Sequence, residues 1–129
     1  MIPHFVQSRL NVILSITAEY FNITVDQIKG NDRFQSVVDA RKIALKASYQ
    51  LLGDDMVYVT LQDWGYYMKK THATIIFHKR TADDLYQTNR AFQEAYDMIV
   101  QQSKKALSIS GYYPVNASAI EVFTRAPQF

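Results

Sequence analysis

The chain contains no cysteine. That single absence removes disulfides, thiolate metal sites and cysteine nucleophiles together, and it fits a reducing compartment. Glycine and proline are also scarce, with 4 and 3 in 129 residues, so few positions interrupt regular structure. With 48% hydrophobic residues, the composition suits one compact helical domain able to bury a real core. No apolar run approaches the roughly 18 residues of a membrane-spanning helix. The start, Met1-Ile2-Pro3-His4-Phe5, lacks the basic-then-apolar order of a secretory leader. A cytoplasmic protein without membrane association is therefore expected. A phosphate loop of the form G-x-x-x-x-G-K-[ST] is missing too, so no nucleotide cofactor is expected. His72 and His78 sit six apart, about 240° around a helix and on different faces. Asp83 and Asp84 are adjacent and diverge. No catalytic residue, metal ligand or cofactor is assigned, and the protein is not expected to be an enzyme.

Charge has to be read by position, because the formal net charge is only +2, too small to define a nucleic-acid binder. Between Lys69 and Arg80 there is no acid at all, while Lys69, Lys70, Lys79, Arg80, His72 and His78 fall there. Such a cluster is what phosphate contact requires, although most charge runs are simply solvated faces. The surrounding segment, Thr60 to Arg80, has the shape of a helix-turn-helix: a short amphipathic helix, a tight connection, then a helix that opens on a polar tip. In that motif the second helix enters the DNA major groove.

Helical spacing extends along the whole chain. Residues 7–21 place Leu10, Ile13, Leu14, Thr17 and Phe21 on one face. Thr24 is the expected N-cap of a single turn ending at Gly30, with a left-handed exit there. Ser36 is expected to cap a long helix to Leu52, with Val37, Ala40, Ala44, Ala47 and Leu51 inward. Thr60 and Asp63 form a capping-box pair ahead of Leu61, Trp64 and Met68. Thr71 should cap the second helix of the motif, which turns Ile75, Ala82, Leu85 and Tyr86 inward. Thr88 or Asn89 interrupts. A last helix over 91–106 buries Phe92, Ala95, Tyr96, Ile99 and Val100. Residues 1–106 form the expected domain. Residues 107–129, around Tyr112-Tyr113-Pro114, read as a C-terminal tail with room for one short helix over 116–124. The expected fold class is all-α, a helical bundle containing a helix-turn-helix of the Trp-repressor-like kind.

Three ordered blocks resemble the C-terminal DNA-binding domain of the bacterial chromosomal replication initiator DnaA. Ala18-Glu19-Tyr20-Phe21-Asn22-Ile23-Thr24-Val25-Asp26-Gln27-Ile28-Lys29-Gly30 is similar to that family's A-E-Y-F-x-I-T-V-E-D-L-K-G, and Ala40-Arg41-Lys42-Ile43-Ala44 to its P-R-Q-I-A. Leu61-Gln62-Asp63-Trp64-Gly65 stands where the family has L-P-E-I-G. Lys70-Thr71-His72-Ala73-Thr74-Ile75-Ile76 stands where it has R-D-H-T-T-V-L. Thr88-Asn89-Arg90-Ala91-Phe92-Gln93-Glu94-Ala95-Tyr96 resembles its closing D-P-E-F-R-E-A-Y.

The resemblance implies a partner, double-stranded DNA, and a set of contacts. His72, Ala73 and Thr74 would meet base edges in the major groove, and Arg33 would enter the adjacent minor groove. Arg41, Lys69, Lys70, Lys79 and Arg80 would hold phosphates. Trp64 falls at a buried isoleucine of the family and is expected in the core rather than as a stacking platform. The family's Asp and first Thr are here Thr71 and Ala73, and of its basic loop only Arg33 remains in Asn31-Asp32-Arg33-Phe34-Gln35. A target site different from the family's usual one is therefore implied. The function implied is sequence-specific DNA binding related to replication-origin recognition or its regulation, with a protein partner in a replication or mobile-element complex. The alternative is a protein-interaction module that keeps the fold without DNA readout.

Overall fold

A computed structural model describes residues 1–109 and contains six α-helices: α1 His4–Phe21, α2 Val25–Lys29, α3 Gln35–Leu52, α4 Leu61–Met68, α5 His72–Thr88 and α6 Arg90–Ile109. A 3₁₀ segment, Gly53–Tyr58, joins α3 to α4. There is no strand among the described residues. Helix α3 is the centre of the bundle and packs on α1, α2, α5 and α6; α1 also packs on α6. Fully buried Leu10, Ile13, Leu14, Ile43, Ala44, Trp64, Ile75, Ile99 and Leu107 form one core across five helices. The expected all-α bundle is the observed one.

Local chemistry explains most of the boundaries. Helix α1 begins at His4, three residues before the expected start, because the fixed φ of Pro3 (−58°) aims the chain into a helix. The Pro3 carbonyl then accepts from Val6 and Gln7. Thr24 caps α2 as expected, and Gln27 completes a capping box there. Gly30 does not take the expected left-handed exit; its backbone is extended, at φ −88°. The carbonyls at the end of α2 are met by side chains instead, as described below. Nor does Ser36 cap α3: the helix starts at Gln35 with Phe34 at the cap position and no side-chain cap bond. The Asp32 carboxylate holds this corner by accepting from the Phe34 backbone N–H at 3.1 Å. The last helix opens at Arg90, where the Asn89 side chain accepts from Phe92 N–H at 3.0 Å. It runs past the expected Ala106 to Ile109. The short helix expected over 116–124 lies outside the described residues.

Candidate nucleic-acid interface

Helices α4 and α5 form the motif. Thr60 and Asp63 make the reciprocal capping box that starts α4. Trp64 is completely buried, edge-on to Tyr67 and 6.2 Å from the Tyr49 ring. Its expected core placement is the observed one, while Leu61, one turn before, is exposed. The turn has three residues, Lys69, Lys70 and Thr71. Lys69 closes α4 in the left-handed conformation (φ 57°), and the Lys70 N–H returns to the Gly65 carbonyl at 2.8 Å. A Cβ on Gly65 would stand 2.5 Å from the Lys70 carbonyl oxygen, so only glycine lets the turn fold this closely against α4. The Thr71 side chain then accepts from Thr74 N–H and caps α5.

This geometry sorts the sequence-predicted site residues into two groups. His72 and Ala73 occupy the exposed first turn of α5. Lys69, Lys79 and Arg80 are exposed, with the Lys79 ammonium 4.0 Å from the Tyr49 ring centroid. Arg33 is exposed on the α2–α3 loop and has no ion pair among the described residues. Its neighbour Asp32 is committed to the Phe34 N–H and the Gln27 amide.

The second group belongs to the framework. Arg41 is buried, at 5% exposure. Its Nε donates to the Ile28 carbonyl at 2.7 Å, and Nη2 donates to Gln27 and Gly30 carbonyls at 3.1 and 2.8 Å. The Lys70 ammonium donates to the carbonyls of Lys29, Met68 and Gly30, which uses all three of its protons. Two cations thus take the place of a left-handed cap at the C-terminal end of α2, where the helix dipole is negative. Burial pushes both pKa values down: Asp32 opposes this for Arg41, whereas for Lys70 the nearby Arg41 and Lys69 charges reinforce it. Arg41 and Lys70, expected on phosphates, thus direct Nε and Nη2 of the one and the ammonium of the other to backbone carbonyls within the protein. Thr74 stands between the two groups. It is half-buried, and its hydroxyl pairs with that of Thr71 at 3.0 Å.

Lys70 also fixes geometry. By reaching Lys29 and Gly30 it ties the α2–α3 loop to the turn before α5. The loop that carries Arg33 and the turn that leads into α5 thereby share one hydrogen-bonded frame. His78, inside that frame, is half-buried, and its Nδ1 has no hydrogen-bond partner among the described residues. Burial first, then the charges of Lys42, Arg41 and Lys70, lower its pKa to about 4.

The sequence puts Phe77 on the outward side of α5, against either a DNA groove or a protein, and assigns Ile76 no role. Ile76 and Phe77 are 38% and 55% exposed, on the side of α5 opposite buried Ile75 and Ala82. The 100° step of a helix, applied from Ile75, marks both as outward. Lys42 on α3 completes this side, its ammonium 5.9 Å from the Phe77 ring. No group of three or more His, Asp or Glu among the described residues is placed to hold a metal ion. No described helix is long and apolar enough to cross a membrane.

A three-residue turn, a glycine that admits it and a capped, outward second helix define a helix-turn-helix, an architecture that places its second helix in the DNA major groove. The chain matches the bacterial DnaA protein helix-turn-helix family over residues 10–81, more than half its length, and it belongs to that family. It is 30% identical over 87 residues to the chromosomal replication initiator protein DnaA of Tropheryma whipplei, covering 67% of this chain and 17% of that protein. It is 28% identical over 92 residues to the DnaA of Corynebacterium aurimucosum, covering 71% of this chain and 16% of the relative. To DnaA 2 of Chlamydia pneumoniae it is 26% identical over 89 residues, covering 69% and 19%. The chain therefore spans under a fifth of the length of the curated relatives it matches.

Proposed function

We propose that this protein binds double-stranded DNA sequence-specifically, in the recognition of a replication origin or in its regulation. The observation that carries the reading is the exposed first turn of α5, flanked by cations with no partner acid among the described residues. His72 and Ala73 meet base edges in the major groove, and Arg33 enters the neighbouring minor groove. Lys69, Lys79 and Arg80 take phosphates. Arg41 and Lys70 act on DNA through the loop and turn that they hold, and Thr74 steadies the first turn of α5 through its hydroxyl contact with the capping Thr71. The names of the relatives, all chromosomal replication initiators, support the assignment to replication.

Selection from a random duplex pool tests it. The expected result is one enriched site, bound at least about 10³-fold more tightly than unrelated duplex. Because Thr71 and Ala73 replace the family's Asp and Thr, the enriched site differs from the family's usual box. Failure to enrich any sequence, with the fold intact, would favour the reading as a protein-interaction module.

A further inference from the structure

The outward side of α5 is apolar where it should read bases. Taking about 100° per residue, Ala73, Ile76, Phe77 and Arg80 fall within one wedge of roughly 100°, centred opposite Ile75 and Ala82. Ile76 and Phe77 are exposed on it. Ala73, Ile76 and Phe77 carry no side chain able to make paired hydrogen bonds to a base edge; within the stripe only Arg80, at its C-terminal end, can. Ahead of Arg80, the stripe has little to offer a G·C pair. The major groove presents one apolar group, the C5-methyl of thymine.

We infer that Ile76 and Phe77 are specificity-determining residues that read thymine methyl groups, so that the target site carries thymines opposite the second turn of α5. The inference rests on the DNA-binding reading above. Two observations favour duplex DNA over an apolar protein partner on this stripe. Cations border it: the Lys42 ammonium lies 5.9 Å from the Phe77 ring, Arg80 closes the stripe one turn on, and Lys69 stands exposed before the N-terminal end of α5. The stripe also ends at Asp83 and Asp84, of which Asp83 is paired with Lys46 at 3.0 Å. Acids there would repel a backbone continuing along the helix, which confines the reading to the first turns. Phe77 is steadied for the task by the Lys42 ammonium and by the His78 ring, 6.0 Å away.

Deoxyuridine tests this directly, since it removes the methyl and leaves charge and base pairing unchanged. In the site recovered by selection, each thymine is replaced singly by deoxyuridine and binding of the unaltered protein is measured. Replacement at the contacted positions should weaken binding about fourfold per methyl, the effect of one buried carbon, with no change at outlying thymines. Phe77→Ala should bind the thymine and deoxyuridine duplexes equally at its own position while keeping the parent thermal midpoint. Equal affinity of the unaltered protein for all single replacements would overturn the methyl reading and leave DNA binding standing. Absence of binding to any duplex at low salt would overturn both.

Discussion

Arg41 shows how far a residue's type is from its role. In the sequence it is a cation on a helix that matches a family arginine. In the fold it is a buried fork that satisfies three carbonyls at the end of α2. Arg41→Ala should therefore cost about 2–3 kcal/mol, the cost of stranding carbonyls once served by a charged donor, as read from urea unfolding midpoints. Arg80→Ala, at an exposed position without a partner among the described residues, should leave the midpoint unchanged and weaken every duplex alike. The reverse pattern would exchange the roles given to the two arginines. Charge was legible in the sequence and burial was not, because the carbonyls that claim Arg41 and Lys70 come from a segment 11 to 41 residues away. His78 supplies a second test. It is held neutral in the fold, with a pKa of about 4, but takes a proton readily in the unfolded chain near pH 6.5. Protons therefore favour the unfolded chain in that interval. The stability it contributes is complete above about pH 6.5 and is lost as pH falls toward 4. His78→Asn should lose less stability than the parent between pH 6.5 and 5, above the usual carboxylate range. Parallel pH profiles for the two proteins would contradict this.

The elements were more legible than the side chains. Thr24, Thr60 and Thr71 are N-caps in the sequence reading and in the structure, because capping depends on bonds within three residues. Burial on α3 and α6 follows helical spacing for the same reason. What sequence reasoning missed were ends fixed at a distance: the extended Gly30 exit, made possible by Arg41 and Lys70, and the α3 start set by Asp32 rather than Ser36. The outward place of Phe77 was legible in the sequence, and the exposure of Ile76 was recoverable from periodicity once Ile75 was taken as inward. Strain at the motif turn yields a prediction at this scale. Lys69 holds φ at 57°, a conformation that costs a residue with a Cβ about 1 kcal/mol, and its charge faces the proposed DNA side. Lys69→Gly should raise stability by about 0.5–1 kcal/mol and weaken DNA binding, a separation measured by pairing unfolding midpoints with binding titrations. A loss of both together would mean that the lysine supports the turn rather than the ligand.

At the scale of the whole molecule, function does not rest on net charge. The formal excess is +2, yet Lys69, Lys79 and Arg80 stand exposed at or on α5 and Arg33 on the α2–α3 loop, while several acids are tied to partners: Asp55 to Arg9, Asp83 to Lys46 and Asp97 to the Tyr86 hydroxyl. Lys70 links the two elements proposed to read DNA, the α2–α3 loop and the first turns of α5, into one frame. The central claim is that this frame presents free cations to duplex DNA, and the salt dependence of binding tests it most directly. With about four phosphates neutralised, log affinity should fall against log salt with a slope of about −3 to −4. Removing Lys79 or Arg80 should reduce that slope by about one unit each, and Arg41→Ala should leave the slope nearly unchanged. A slope near zero for the unaltered protein would contradict the account.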